Sequence, residues 1–457
     1  PDDFELNIRQ DFRFNPNTNL YLVTDIPNTV GRNKPYPTFD SKFNPYQLFQ
    51  DETGNNLDLS WRYLTAERRQ MLENSGKIDM GYMTLDEPNY GYTNSNGLAV
   101  RLNAGLRVNL YKGLRYEGTY SYTKAKNDTR QFEGQQAFDV RREVLSYTVI
   151  NPSTGLPIYY MPETGGRLTA DNSAREDWTI RNQFVYDKDW NDKLHQLTLL
   201  AGNEVQSMRT DNTYNLTRGF NDETYTVQPV DYKTLSAAYL AGTLYPSTGG
   251  YGYYYPDTYR AQRLDSRLIS YYANLAYSFR EKYGVNASWR IDQSNLFGKD
   301  KSAQNKPVYS VGALWNMSKE SWMKDIGWVN QLKLRATYGL TGISPAAGTA
   351  SSSDILLALS PFGFTVPGGV IYRINNPANR SLTWELTKTK NIGMDFRLVN
   401  NRITGTFDVY WKKTEGLLDQ MVVNPFAVAI SPTVLGNTGE LTNRGLELSL
   451  TTVNIKS

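Results

Sequence analysis

The stretch "LAVRLNAGLRVNLY" (98–111) constrains the chain most, because every second residue in it is apolar. Leu98, Val100, Leu102, Ala104, Leu106, Val108 and Leu110 share one parity, while Arg101, Asn103, Arg107 and Asn109 share the other. A period of two is a β-strand with one apolar and one polar face. The alternation recurs in "FELNIRQDFRF" (4–14), "YGVNASWRID" (283–292), "QLKLRATYGL" (331–340), "ITGTFDVYW" (403–411) and "GLELSL" (445–450). The pattern predicts about thirteen strands, many as long as the roughly 9–11 residues a tilted strand needs to cross a bilayer; typical globular strands have about 5–6.

Connections carry a second signal. Short ones at 15–19, 111–113, 188–193, 280–282, 318–330 and 400–402 alternate with long ones at about 27–97, 127–174, 209–264, 293–307, 342–381 and 415–439. Consecutive antiparallel strands put successive connections at opposite ends of a sheet, so one end is trimmed and the other elaborate. That asymmetry belongs to outer-membrane barrels, with short periplasmic turns and long extracellular loops. The expected fold is all-β, an antiparallel transmembrane β-barrel.

A soluble β-sandwich also alternates. Two features speak against it. The polar parity carries long rows of Arg, Asp, Glu, Asn and Thr on consecutive strands, and aromatics crowd the strand ends: Tyr111, Trp178, Tyr186, Trp190, Tyr283, Trp315, Tyr410 and Trp411. Tyr and Trp favour a membrane–water boundary, where one end of the ring is dry and the other hydrogen-bonds. The apolar faces are therefore expected to meet outer-membrane lipid, and the polar faces to line a wet interior. Lys388 and Lys390 share the apolar parity of Leu386, Ile392 and Met394. A midplane charge costs roughly 2–4 kcal/mol, so both lysines are expected near headgroups or beyond the hydrocarbon.

Composition narrows the function. The 457 residues contain no cysteine, which suits a chain that crosses an oxidising compartment, and 49 basic residues face 46 acidic ones. A net charge of +3 lacks the concentrated basic face of a nucleic-acid binder. The single histidine, His195, begins a predicted strand beside a short turn and reads as an interfacial residue. No second histidine supports a metal centre, and no nucleophile elbow or phosphate loop is present, so neither an enzyme nor a bound cofactor is expected. "DETGNNLD" (51–58) clusters oxygen ligands without EF-hand spacing and reads as a solvated turn. In 60–76, Thr65 is placed to N-cap a short helix.

Two long connections carry aromatic clusters. "STGGYGYYYPDTY" (247–259) holds Tyr251, Tyr253, Tyr254 and Tyr255, and "SPFGFTVPGGVIY" (360–372) holds Phe362, Phe364 and Tyr372. These rings are candidate contacts for a ligand or a partner protein, since flat amphipathic faces stack on sugars or clamp peptide at little entropic cost. The alternative is that the rings pack the loops against one another.

Several ordered blocks carry a family resemblance. "YSFREKYGVNASWRIDQSNLFG" (277–298), "PVYSVGALWNMSKESWM" (307–323), "LKLRATYGLTG" (332–342), "NPANRSLTWELTKTKNIGMDFRLVNNRITGTFDVYWKKTEGLL" (376–418) and "GNTGELTNRGLEL" (436–448) closely resemble SusC/RagA-type TonB-dependent transporters of the Bacteroidetes outer membrane. "NPANRSLTWE" has two residues more than the usual spacing, and "RIDQSNLFG" replaces the usual glycine-rich form; both lie at predicted outer loops. The resemblance implies import of an oligosaccharide or peptide, a SusD/RagB-like surface lipoprotein as lid, and TonB as energy source. It also implies a plug, a TonB box and a wall of about 22 strands. This chain is accordingly expected to be a barrel portion, 1–457, of a longer polypeptide. A passive porin-type channel is the second reading.

Overall fold

The structure, a computed structural model, describes residues 2–35, 43–44, 46–237, 240–245, 251–252, 254, 257–296, 305–323, 325–345, 355–359, 371–422 and 433–455. Thirteen long strands form one antiparallel ladder in chain order. They are β1 (Asp2–Asn15), β2 (Thr18–Asn33), β3 (Gly91–Tyr111), β4 (Leu114–Glu133), β5 (Gly166–Trp190), β6 (His195–Asn221), β7 (Tyr259–Phe279), β8 (Tyr283–Ser294), β9 (Val308–Asn316), β10 (Val329–Ile343), β11 (Glu385–Leu398), β12 (Ile403–Glu415) and β13 (Glu440–Thr452).

Register makes the two faces continuous. Directly paired residues point to the same side of a sheet. Leu22, Ala104, Tyr120, Ile180, Val205 and Ile269 form one cross-strand row on the first parity. Val285, Ala313, Ala336, Ile392, Val409 and Leu446 form another. The opposite face reads Arg107, Glu117, Gln183, Gly202, Tyr272 and Arg290. A slip of one residue in any strand would break both faces at once, which is why the pattern specifies register so strongly.

Short connections close one end of the ladder. Gly113, with φ +91°, turns β3 into β4, and a Cβ there would strike the Asp187 carbonyl. Asn191–Lys193, Arg280–Glu281 and Val399–Asn401 also take left-handed backbone, which matches the twist of a hairpin. At this end the His195 ring stacks on Trp190 at 4.9 Å and lies 4.8 Å from Phe279, with Nδ1 2.7 Å from the Tyr277 hydroxyl. All four residues lie on the apolar parity. The histidine is thus part of an aromatic cluster at the short-turn end of the wall, beside the turn where the sequence put it.

The longest of the short connections is pinned by Glu320. Its carboxylate accepts from Lys282 Nζ at 2.9 Å, Tyr283 OH at 2.6 Å and Trp315 Nε1 at 3.2 Å. The Tyr283 hydroxyl, then Lys282 and Trp315, pull its carboxyl down to about 2. A depressed carboxyl contributes stability above its unfolded value and loses it as pH falls through the folded one. We therefore expect Trp fluorescence of the 317–328 turn to stay constant from neutral pH to about pH 4 and to change only below it. Glu320→Gln should show the loosened spectrum already at neutral pH.

At the other end the strands outrun the expected loop limits. β2 continues to Asn33 and β3 starts at Gly91; β4 and β5 extend to Glu133 and Gly166, and β6 and β7 to Asn221 and Tyr259. Pairs such as Asn94–Arg130 and Asp128–Asn172 hold these extensions. Beyond the bilayer both faces are wet, so the backbone ladder continues while the alternation that reveals it disappears.

Among the described residues the buried apolar clusters lie in the long connections rather than in the sheet. Helix α1 (Ala66–Gly76) is capped by Thr65, whose hydroxyl accepts from the Arg68 N–H at 3.2 Å, as expected. Helix α2 (Phe138–Ser146) packs Phe138 and Leu145 against Leu59, Leu64, Leu72, Met80, Tyr82 and Leu244. Helix α3 (Tyr232–Ala237) adds Leu235 to a second cluster with Val144, Met161 and Tyr254. Three connections distant in sequence thus share one packed layer above the barrel wall.

Candidate functional site

The polar face of the wall is cross-linked from strand to strand. Glu117 accepts from Arg107, Arg115 and Gln183, each at 2.8 Å. Gln183 in turn accepts from the Tyr272 hydroxyl at 3.1 Å. Further round the wall, Glu204 accepts from Arg181 at 2.6 Å and Arg290 at 3.2 Å, and Arg290 also donates to Asp292 and Ser270 at 2.7 Å. Glu204, Asp292 and Ser270 are all buried. On the later strands Arg335 donates to Asp408 at 2.6 Å and Asp395 at 3.3 Å, with Asn391 holding the other Asp408 oxygen at 2.9 Å. Such rows hold charged side chains in place on a water-facing surface. On the opposite, lipid-facing parity the same charges would each carry the bilayer penalty.

The outer-loop layer is fastened to this face by charge. Arg218 of β6 is 6 % exposed and donates to Glu143 of α2 at 2.7 Å and to Asp257 at 2.8 Å. Asp257 also accepts from the Tyr254 hydroxyl at 3.2 Å. Burial pushes the Asp257 carboxyl up, but the Arg218 guanidinium outweighs it and holds the group below its ordinary range. Burial, then the nearby Asp257 charge, pushes the Tyr254 phenol to about 12. Across the layer, Arg141 of α2 donates to the carbonyls of Asp79 and Gly81 at 2.7 and 2.8 Å. The Glu87 carboxylate accepts from the Phe138 N–H at 3.1 Å at the start of α2, and burial lifts its pKa.

Among the described residues a cleft of about 450 Å³ opens beside α2 and one of about 730 Å³ over the outer ends of β2 to β6. They share Tyr90, Gln135, Gln136 and Gly165. Aromatic, amide and charged groups together suit a polar, hydrogen-bonding ligand.

The aromatic residues singled out from the sequence separate. Tyr254 is 3 % exposed, with its ring centroid 5.4 Å from that of Tyr232 and 6.1 Å from that of Tyr147. It is a packing residue of the layer. Tyr251 lies in a two-residue strand, Tyr251–Gly252, paired with Leu240–Ala241. Tyr372 lies in Ile371–Asn376, paired with Ile355–Leu359. Tyr253, Tyr255, Phe362 and Phe364 lie outside the described residues. The cleft residues Tyr90, Gln135 and Gln136 were not expected; a lone tyrosine and two glutamines at strand ends leave no spacing signal. In the 51–58 stretch Asp51 accepts from Thr53 and Asn55, while Asp58 accepts from Arg69 and from the Tyr82 N–H.

One continuous apolar face, one ion-paired face and alternating connections together define a membrane barrel wall. A family model described as "TonB dependent receptor-like, beta-barrel" matches residues 118–454. The chain belongs to this family. It is an outer-membrane β-barrel wall, similar to SusC and RagA in kind. It is 29 % identical over 294 residues to "TonB-dependent receptor P3" of Formosa agariphila, covering 64 % of this chain and 26 % of that one. To "TonB-dependent receptor SusC" of Bacteroides thetaiotaomicron it is 31 % identical over 185 residues, 40 % of this chain and 18 % of that one. The "RagAB peptide importer in the 'closed-closed' state" shares the fold with a TM-score of 0.70 at 18 % identity, over 100 % of this chain and 44 % of that one. The chain therefore spans less than half the length of these relatives.

Proposed function

We propose that this chain is wall and outer-loop layer of an active importer that takes up an oligosaccharide or a peptide. A SusD/RagB-like lipoprotein would close over the loops, and TonB would supply the energy through segments beyond this chain. The observation that carries the reading is the folded layer of long connections fastened over an ion-paired polar face. A passive pore needs a wall and a constriction; it does not need a structured platform with its own apolar core. The two edge strands, β1 and β13, are not paired with each other. An open edge is not tolerated in hydrocarbon, so the wall would be closed by further strands.

In this reading Tyr251, Tyr253, Tyr255, Phe362, Phe364 and Tyr372 contact ligand or lid, and Tyr254 supports them from within the layer. The test is uptake by cells carrying the full-length protein, with and without TonB, alongside conductance of the purified protein in a planar bilayer. We expect uptake to vanish without TonB, and no steady open conductance. The triple change Tyr251→Ala, Tyr253→Ala and Tyr255→Ala should weaken ligand capture with assembly intact. TonB-independent uptake together with steady conductance would establish the porin reading instead.

A further inference from the structure

We propose that the outward face of β11, β12 and β13 holds a phosphate of an outer-leaflet lipid headgroup between Lys390 and Arg444. The register places Tyr338, Lys390, Trp411 and Arg444 in one cross-strand row on the lipid-facing parity. The row directly below it is Ala336, Ile392, Val409 and Leu446, all apolar. The row above contains Lys388 and Lys413. These strands reach the outer end here, because β11 begins and β12 ends at long connections. Four cations therefore stand where the hydrocarbon gives way to headgroups, beside an indole and a phenol of the boundary belt.

Charge balance separates this patch from its counterpart elsewhere on the wall. Lys388 pairs with Glu415 at 2.8 Å, and Lys413 with Glu440 at 2.9 Å. Lys390 and Arg444 have no carboxylate partner among the described residues, so the patch keeps an excess of two positive charges over Glu415 and Glu440. On β6 and β7 the lipid-facing arginines instead each have a carboxylate partner, Arg209 and Arg263 sharing Asp211 and Arg267 pairing with Asp265. A cation at a membrane boundary attracts anionic lipid, and a guanidinium grips phosphate through paired N–H donors while an ammonium adds a point charge. Ring faces of Trp411 and Tyr338 would lie against the glycerol or sugar carbons beneath the phosphate.

The experiment uses the full-length protein in detergent doped with phosphatidic acid or with phosphatidylcholine, read by native mass spectrometry. We expect retained phosphatidic acid to exceed phosphatidylcholine, and the double variant Lys390→Gln/Arg444→Gln to lose it on the order of tenfold. Arg263→Gln/Arg267→Gln should retain it, and so should the charge-conserving Lys390→Arg/Arg444→Lys, which also guards against a folding defect. Heat-modifiable migration reports assembly of each variant. Equal retention in wild type and the glutamine variant, or equal retention of both lipids, would overturn the proposal. Release of the lipid by millimolar inorganic phosphate would make the patch a free-anion site and overturn the lipid assignment.

Discussion

Ala273→Arg should cost about 2–4 kcal/mol, while Asn274→Arg, one residue along, should change stability by no more than about 0.5 kcal/mol. Ala273 is the midpoint of the lipid-facing parity of β7, with Leu275, Tyr277 and Phe279 toward one boundary and Tyr271, Ile269 and Arg267 toward the other. Its cross-strand neighbours are Ala201 and Trp289, so a guanidinium there finds no anion beside it in the row. Asn274 is exposed on the opposite face, paired with Ser288 and Leu200. Urea titration of the refolded full-length barrel in lipid, followed by tryptophan fluorescence, measures both. Equal, small effects at the two positions would mean that the apolar face does not meet hydrocarbon, and the membrane reading would fail with it.

That prediction draws on a property visible in the sequence alone. Leu102, Ala104 and Leu106 reveal β3 because one neighbouring phase is oil and the other water, and the contrast imprints itself on every second residue. The same contrast explains why the strand ends were hidden. Asn94, Ser95, Asp128 and Thr129 are paired in the ladder, yet both of their faces are wet, so no periodicity marks them. The loop layer was hidden for another reason. Leu72, Phe138, Leu145 and Leu244 meet across three connections separated by scores of residues, and each helix contributes too few apolar positions to announce a face. Thr65 was legible because a cap is local: acceptor and N–H lie three residues apart. The burial of Tyr254 was not legible, because burial of a ring in a long connection depends on what folds over it. The site thus inherits its obscurity from its construction out of long-range contacts.

Arg218→Gln should release that layer without dissolving the wall. The guanidinium is 6 % exposed and bridges Glu143 and Asp257 across two connections, so its loss leaves Asp257 without its cation and Glu143 with Arg167 alone, at 3.3 Å. Breaking a buried pair costs about 3–5 kcal/mol, and we expect the lower end, about 3 kcal/mol, because the Asp257 side chain stays 42 % exposed to water. Limited proteolysis of the full-length protein should then cut within 222–258 many times faster, while heat-modifiable migration of the barrel is unchanged. Arg218→Lys should fall between, since an ammonium keeps the charge and loses the fork. The pH dependence follows from Asp257, whose folded-state carboxyl is held below its ordinary value by Arg218 despite burial. Its contribution is present above the unfolded aspartate range, near pH 4, and is lost as pH falls through the lower folded value. Wild-type loops should accordingly become protease-sensitive in acid, and Arg218→Gln should be sensitive at every pH. If ligand capture needs an ordered platform, this variant loses affinity together with proteolytic resistance; a variant with cut loops and undiminished capture would separate the layer from the binding function.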